Sequence, residues 1–293
     1  MSAAATSEGL AIARARIARE CEVRSGVLDL GDLGLAMWPQ ELWELELGHL
    51  TCLNLGVGWT DENNGFHPAA PGIAYAPNVL VAAEAQTLWP RLPQLQRLSL
   101  AGARGEGSAW ANLAGLEALA RLRVLDLSWT AVEDLRPLAG LAHLQVLDAS
   151  YTLVSSIAPL SGLLALRHLD LSHTQVADLS ALADHPALQV LLCDKTPVAS
   201  LAPLAGLPAL SRLDVSQTQI TSLQPLARLA SLQSLHSSWT RIEEVPEALV
   251  NLPSLQTLVL HETAITGVPA SLLSPDAATS CLEGLRGLPR AGQ

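Results

Sequence analysis

Apolar and polar residues alternate in short segments along most of the chain. In the clearest copy, Leu125-Asp126-Leu127-Ser128, leucines alternate with polar residues, which is typical of a β-strand with one buried face. The segment returns every 22 residues, and each copy is followed by a threonine, at positions 130, 152, 174, 196, 218 and 240. One such strand cannot bury its apolar face alone, whereas strands stacked about 4.8 Å apart can. The pattern therefore predicts a stack of parallel strands, one from each repeat.

The threonine column lies where the chain leaves each strand. Hydroxyl groups at that place could bond backbone groups of the neighbouring turn and so satisfy buried polar groups along the stack. Farther along the repeats, proline recurs at Pro137, Pro159, Pro203 and Pro225. Because proline is unfavourable inside an α-helix, and because 22 residues leave little room for one, these segments are predicted to be 3₁₀ or extended.

The frame of these repeats resembles the leucine-rich repeat family, whose pattern is LxxLxLxxNxL. The copy from Leu122 to Val132 follows that pattern with Thr130 in place of the usual asparagine. The resemblance implies a curved α/β solenoid with parallel β-strands on its concave face and mainly 3₁₀, extended or short helical convex segments. The LxPLAxL segments of the middle repeats are similar to the short internalin-like class, and the outer repeats look like the LPxxL form of bacterial repeats.

Three regions are predicted along the chain. Residues 1–24 form the N-terminal cap, with a helix predicted over residues 7–22 and Ser7 as its N-cap. Residues 25–273 form the solenoid, which an irregular insertion interrupts at about 58–92. Residues 274–293 form a C-terminal capping helix and tail, because a serine, a proline and an aspartate at the start make a favourable helix N-terminus.

Both ends of the repeat region resemble bacterial Roco proteins. The segment Val27-Leu28-Asp29-Leu30-Gly31-Asp32-Leu33-Gly34-Leu35 looks like the start of their repeat domain. The segment from Val268 to Ser274, with Cys281-Leu282-Glu283-Gly284-Leu285-Arg286, is similar to the stretch that joins those repeats to a GTPase domain. The chain has no GxxxxGK[ST] phosphate loop, so the resemblance does not imply nucleotide hydrolysis.

Charge and cysteine usage exclude several classes of function. The net charge of −11 argues against nucleic-acid binding, which needs a basic surface, and is compatible with a basic protein partner. No apolar run is long enough for a membrane span, and no secretory signal is recognised, so we expect a cytoplasmic protein. The alternative is a protein that is exported by a route independent of a signal peptide. The four cysteines form no CxxC pair, and neither a disulfide, a structural metal nor a cofactor is expected.

Candidate partner-binding residues lie on the predicted concave face. They are Asp126, Trp129, Asp148, Tyr151, Asp170, His173, Asp214, His236 and Trp239. The aspartates either form an acidic strip that receives Arg or Lys from a partner, or they are consensus residues of the repeat. The aromatic residues either anchor a partner or pack against a loop such as the insertion.

The insertion is a second candidate, because long loops in compact folds tend to be functional. It carries aromatic and imidazole side chains at Trp59, Phe66, His67, Tyr75 and Trp89. The alternative is a poorly ordered segment that the solenoid tolerates without using it.

Two groups of residues offer only weak support for catalysis or metal binding. Asp214, His236 and Ser238 fall on adjacent predicted strands, but no oxyanion-hole loop or pocket accompanies them. His236, His261 and Glu262 lie on a flat sheet that does not converge three metal ligands. The sequence therefore predicts a non-enzymatic module that binds a protein on its concave face. The alternatives are a regulatory or sensor domain associated with a Roco-type GTPase, or the repeat domain of a host-directed effector.

Overall fold

Short strands occupy the predicted repeat positions, and a buried leucine stands at the centre of each strand of the stack. The structure is a computed structural model that describes residues 3–61, 66–68, 78–80, 82–102, 110–266 and 281–286. The chain forms two compact units, residues 1–154 and 155–293.

The first unit contains five parallel strands and one hairpin. The parallel strands are β1 (Val27–Asp29), β2 (Cys52–Asn54), β5 (Arg97–Ser99), β6 (Val124–Asp126) and β7 (Val146–Asp148), paired in that order. The antiparallel hairpin consists of β3 (Gly58–Thr60) and β4 (Phe66–Pro68). In every parallel pair the central leucines face each other, so one apolar row runs through the strands of this unit.

The second unit repeats the arrangement without an insertion. Its strands are β8 (His168–Asp170), β9 (Val190–Leu192), β10 (Arg212–Asp214), β11 (Ser234–His236) and β12 (Thr257–Val259). Neighbouring strands pair in parallel in that order, and their central leucines are fully buried.

The segments that connect the strands are short, as the prolines predict. The 3₁₀ helices span Trp89–Arg91, Leu116–Ala118, Arg136–Leu138, Ala158–Gly162, Ser180–Leu182, Ala202–Leu204 and Gln224–Arg228. Proline occupies the first positions of the helices that hold Pro137, Pro159, Pro203 and Pro225. Single-turn α-helices occur at α2 (Glu41–Glu44), α3 (Ala82–Ala85) and α4 (Glu247–Val250). Between Leu113 and Leu119 the helical residues are those of the 3₁₀ helix Leu116–Ala118.

The threonine column bonds within its own turn, so the expectation of bonds to the neighbouring turn was wrong. The Thr130 hydroxyl donates to the carbonyl of Leu127, three residues earlier, at 2.6 Å. Equivalent bonds are made by Thr152, Thr174, Thr196, Thr218, Thr240 and Thr263. The Leu127 N–H donates to the backbone carbonyl of Asp148 in the next strand. The described backbone hydrogen bonds include none to the Leu127 carbonyl, and the Thr130 hydroxyl satisfies it.

Helix α1 (Ala3–Val23) covers the outer side of β1. It begins before Ser7, so Ser7 is not its N-cap. Ile17 is fully buried, and Arg16 donates from Nη1 to the Asp29 carbonyl of the edge strand at 2.8 Å. Covering an edge strand in this way prevents it from pairing with another chain.

The Glu20 carboxylate ties α1 to the first two repeats. It accepts hydrogen bonds from the Gly26 N–H at 2.7 Å, from the Ser25 hydroxyl at 2.5 Å and from the His49 imidazole at 2.8 Å. Burial raises the pKa of Glu20, but these hydrogen bonds outweigh burial, and the net pKa lies below its usual value. The group is therefore held as a charged acceptor.

The C-terminal end of the second unit is closed by α5 (Leu282–Arg286). The Cys281 N–H donates to the Leu258 carbonyl of the last strand at 2.8 Å, and the Arg286 guanidinium reaches the Val250 and Leu255 carbonyls. The predicted helix start at Ser274 lies outside the described residues.

An insertion separates two parts of one repeat in the first unit. Leu55 and Asn78 lie 23 positions apart in the sequence, whereas the equivalent Leu127 and Thr130 lie three apart. Even so, Asn78 donates to the Leu55 carbonyl at 2.8 Å, the bond that Thr130 makes to Leu127. Asn78 also donates to the Leu30 carbonyl and accepts from the Leu35 N–H, so its amide joins two repeats.

Four tryptophans of the first unit pack together. The Trp38 ring lies edge-on to Trp43 at 5.7 Å and to Trp110 at 6.0 Å, and Trp110 lies against Trp89 at 6.3 Å. Trp89 is 1% exposed and belongs to the core, so its assignment to a binding loop was wrong. Asn78 takes the place of the column threonine, and α3 and the 3₁₀ helix Trp89–Arg91 follow it, so the irregular insertion lies before Asn78.

The hydroxyl of the threonine column stabilises the fold. We expect Thr174→Val to lower the free energy of unfolding by about 2 kcal/mol, because it leaves the buried Leu171 carbonyl without a donor. Thr221→Val, at an exposed position, is the matched control and should change stability by less than about 0.5 kcal/mol. Urea unfolding measures both. Equal stability of the two variants would contradict the role of the hydroxyl.

We expect the insertion to be dispensable for the repeat fold. Removing residues 58–77 joins Leu55-Gly56-Val57 to Asn78 and restores the spacing of the regular repeat. Val57 then takes the left-handed position of Trp129, so the variant should also carry Val57→Asn. We expect cooperative unfolding with a Tm within a few degrees of that of the intact chain, measured by circular dichroism. Loss of the cooperative transition would show that the repeat frame needs the insertion.

Candidate functional site

The aspartates of the predicted acidic strip build the turns that follow their strands. Asp126 Oδ1 accepts the Ser128 N–H at 3.0 Å and the Ser128 hydroxyl at 2.7 Å. Asp148 accepts the same pair of bonds from Ser150. Asp170 and Asp214 likewise accept the backbone N–H of the serine two residues later. Each of these carboxylates satisfies an N–H group at the end of its strand. This structural role explains why aspartate occupies the position, and no binding partner is needed to explain it.

The side chains that alternate with the strand leucines form a surface that we call the strand face. At the position of Asp126 its members are Asp29, Asn54, Ser99, Asp126, Asp148, Asp170, Leu192, Asp214, His236 and Val259. The row contains most of the predicted site residues, and its exposure differs between the two units.

The hairpin covers part of the strand face in the first unit. Strand β3 lies against β5 and β6. Consistent with this cover, Asn54, Ser99 and Asp126 are at most 2% exposed, although their side chains point away from the leucine core. Asp126 therefore offers little of its charge to solvent. Asp148, on the adjacent strand, is half-buried.

The insertion itself has few described side chains. His67 is exposed, and its Nε2 lies 3.0 Å from a carboxylate oxygen of Asp61. The side chains of Trp59 and Phe66, and the whole of Tyr75, lie outside the described part of the chain.

The strand face of the second unit is half-exposed and carries three neighbouring carboxylates. Burial raises the pKa of Asp170 despite its hydrogen bonds from Ser172, and the charges of Asp194 and Asp214 raise it further. Asp194 lies 3.7 Å from His173 Nε2, and Asp214 lies 3.7 Å from His236 Nδ1. No Lys or Arg forms a salt bridge with these carboxylates among the described residues. The cluster would be stabilised by an added positive charge.

The residue before each threonine has a left-handed backbone conformation. We call these residues the turn row; they are Trp129, Tyr151, His173, Lys195, Gln217, Trp239 and Glu262, with φ between 52° and 59°. For an L-residue other than Asn, Asp or Gly this conformation costs roughly 1 kcal/mol. The conformation cannot be read from the leucine pattern, which explains why the sequence did not single out the row as a whole.

The aromatic members of the turn row have different surroundings. Trp129 and Tyr151 are half-buried and stack on each other, with ring centroids 3.7 Å apart and planes 13° from parallel. Trp239 is 57% exposed and forms no ring contact with another described aromatic residue. The first pair has a partner within the fold, whereas the Trp239 indole is presented to solvent.

The catalytic and metal arrangements considered from the sequence do not assemble. The Ser238 hydroxyl accepts the His261 N–H at 3.1 Å, and the described hydrogen bonds include none between Ser238 and His236. No group of three His, Cys, Asp or Glu within the described ranges could hold a metal ion. The cysteines are unpaired, and burial raises the pKa of the Cys193 thiol far above its ordinary value.

No described helix is both long enough and apolar enough to cross a membrane. This finding rests on the described segments alone.

Sequence comparisons identify the repeat. A family model described as leucine-rich repeats in two copies matches residues 142–184. No curated protein matches the chain.

Structural comparisons extend this likeness along the chain. Internalin C2 of Listeria monocytogenes is 26% identical, with 78% of this chain and 90% of that one covered and a TM-score of 0.60. A leucine-rich repeat protein of Leptospira interrogans is 18% identical, with 86% and 82% covered and a TM-score of 0.56. The leucine-rich repeat domain of APL1B is 14% identical, with 92% and 71% covered and a TM-score of 0.62. The chain thus carries leucine-rich repeats and has the fold of a leucine-rich-repeat solenoid.

Proposed function

We propose that this chain is a non-enzymatic module that binds a protein partner on its strand face. Leucine-rich-repeat solenoids typically mediate protein–protein interaction, because the stacked strands present a long, regular surface. The strand face of the second unit is the more accessible candidate, since the hairpin covers β5 and β6 in the first.

Exposure of Trp239 is the observation that carries the proposal. An indole that is 57% exposed contributes little packing to its own fold. Its backbone is also left-handed, which is unfavourable for a bulky residue. Tryptophan is enriched among the residues that dominate binding at protein interfaces, because it buries a large area at a small cost in conformational entropy. A partner that covers Trp239 would account for both features.

The neighbouring residues define the rest of the proposed surface. In the second unit the proposed surface includes four half-buried residues: Asp170, His173, Asp214 and His236. The carboxylates of Asp170 and Asp214 favour a partner that brings Arg or Lys to them. In the first unit the proposed contacts are Asp148 and the stacked Trp129 and Tyr151. Asp126 lies under the hairpin and is not proposed as a contact. An association with a Roco-type GTPase stays a prediction from the sequence.

Replacing Trp239 should remove partner capture without unfolding the chain. Trp239→Ala deletes the exposed indole and leaves an L-residue in the same left-handed turn, so the backbone strain is unchanged. We expect the variant to have the Tm of the wild type. The amount of the partner protein that it retains from a lysate of the source organism should fall by at least about ten-fold. Quantitative mass spectrometry of the retained proteins measures the loss.

Leu164→Ala is the matched control, because Leu164 is 58% exposed and lies away from the turn row, in the same unit. It should retain every protein that the wild type retains. Equal recovery by Trp239→Ala and Leu164→Ala would reject Trp239 as the anchor. Trp129→Ala tests the first unit separately.

A further inference from the structure

Seven consecutive turns of this chain hold a bulky or charged residue in the left-handed conformation. Asn, Asp and Gly adopt that conformation most readily, because a short polar side chain or the lack of a Cβ removes the clash. None of the seven turn-row residues is of these types. In the first repeat, the equivalent position holds Asp32, with φ of 51°. The fold therefore accepts an aspartate at this position, which is less strained there than a bulky residue, and Asp32 is an example.

Packing within the chain does not explain four of the five turn-row residues of the second unit; the exception, His173, is half-buried beside Asp194. Trp129 and Tyr151 in the first unit offset the strain by stacking. In the second unit Lys195, Gln217 and Trp239 are exposed, as is Glu262. Neither Lys195 nor Glu262 takes part in a salt bridge with another described residue. The turn requires the left-handed conformation, but it does not require these residue types, and strained residues of this kind are typical of positions that serve binding.

We infer that the turn row of the second unit, from Lys195 to Glu262, decides which protein segment binds the strand face. The inference rests on the proposed function and deepens it. It assigns specificity to the turn row, whose side chains the fold does not require, and not to the aspartates, which build the turns. It also adds Lys195, Gln217 and Glu262 to the residues that contact the partner.

The order of the row specifies the chemistry of the partner. Successive repeats present a cation at Lys195, an amide at Gln217, an indole at Trp239 and an anion at Glu262. Neighbouring strands lie about 4.8 Å apart and an extended peptide rises about 3.3 Å per residue, so Lys195 and Glu262 are separated by about four peptide residues. The row therefore fits an extended segment with an acidic residue opposite Lys195, a basic residue opposite Glu262 and a large apolar residue between them.

The first test asks whether the fold gains nothing from these side chains. Gln217→Asn shortens the side chain by one methylene and suits the left-handed turn, so its Tm should rise by about 2 °C. Gln219→Asn is the matched control, because Gln219 is exposed in the same turn but is not left-handed, and its Tm should not rise. A fall in Tm for Gln217→Asn would overturn the inference, because Gln217 would then stabilise its own turn.

The second test uses random dodecapeptides displayed on phage as the probe. Selection on the wild-type chain should enrich peptides with an acidic and a basic residue about four positions apart and an apolar residue between them. The triple variant Lys195→Asn, Trp239→Asn and Glu262→Asn should fold at least as stably as the wild type and lose this enrichment by ten-fold or more. A charge-swapped variant, Lys195→Glu with Glu262→Lys, should select the motif with its charges exchanged.

The outcomes separate this inference from the proposed function. If the charge-swapped variant enriches the same peptides as the wild type, the turn row does not decide specificity. If those peptides are nevertheless lost on Leu192→Arg, which places a charge at the centre of the strand face, binding on that face stands without the turn row. Equal enrichment on every variant would overturn both.

Discussion

Each repeat must turn its chain away from the strand without leaving a buried peptide group unpaired. In the repeat of β6, the Asp126 carboxylate accepts the Ser128 N–H and the Thr130 hydroxyl donates to the Leu127 carbonyl. Trp129 lies between these two bonds and adopts the left-handed conformation that lets both form. The threonine bond and the left-handed residue recur in every regular repeat, and the aspartate bond recurs after β7, β8 and β10. The turn therefore decides which residue types are structural and which are free to vary.

This division changes which residues are candidates for function. An aspartate that repeats on several strands looks like an acidic binding strip, yet its hydrogen bonds assign it to the turn. The residue before the threonine varies among six residue types over seven repeats, with tryptophan used twice, although its backbone conformation does not change. Exposure then separates the two units, because the hairpin lies over β5 and β6, whereas the second unit presents the indole of Trp239. Recognition by side chains on a constant turn would let one scaffold accept different partners.

The strand positions and the 3₁₀ segments could be predicted, because both depend on patterns of leucine and proline within one repeat. The role of Asn78 could not, since 20 or more residues separate it from the Leu55 carbonyl that it satisfies. The burial of Asp126 depends on where the hairpin packs, which no local pattern specifies. The stacking of Trp129 on Tyr151, in contrast to the exposed Trp239, depends on which residue the adjacent repeat supplies. Periodicity thus gives the frame, and contacts between distant segments decide exposure.

Site-specific photo-crosslinking tests the central claim most directly, because it reports physical contact with a partner rather than a change in affinity. A photoreactive phenylalanine analogue would replace Trp239 in one sample and Leu164 in another, two positions of nearly equal exposure in the same unit. If the strand face and its turn row bind the partner, irradiation in a lysate of the source organism should link one protein to position 239 and not to position 164. A crosslink from position 164 alone would place the partner on another surface and contradict the account.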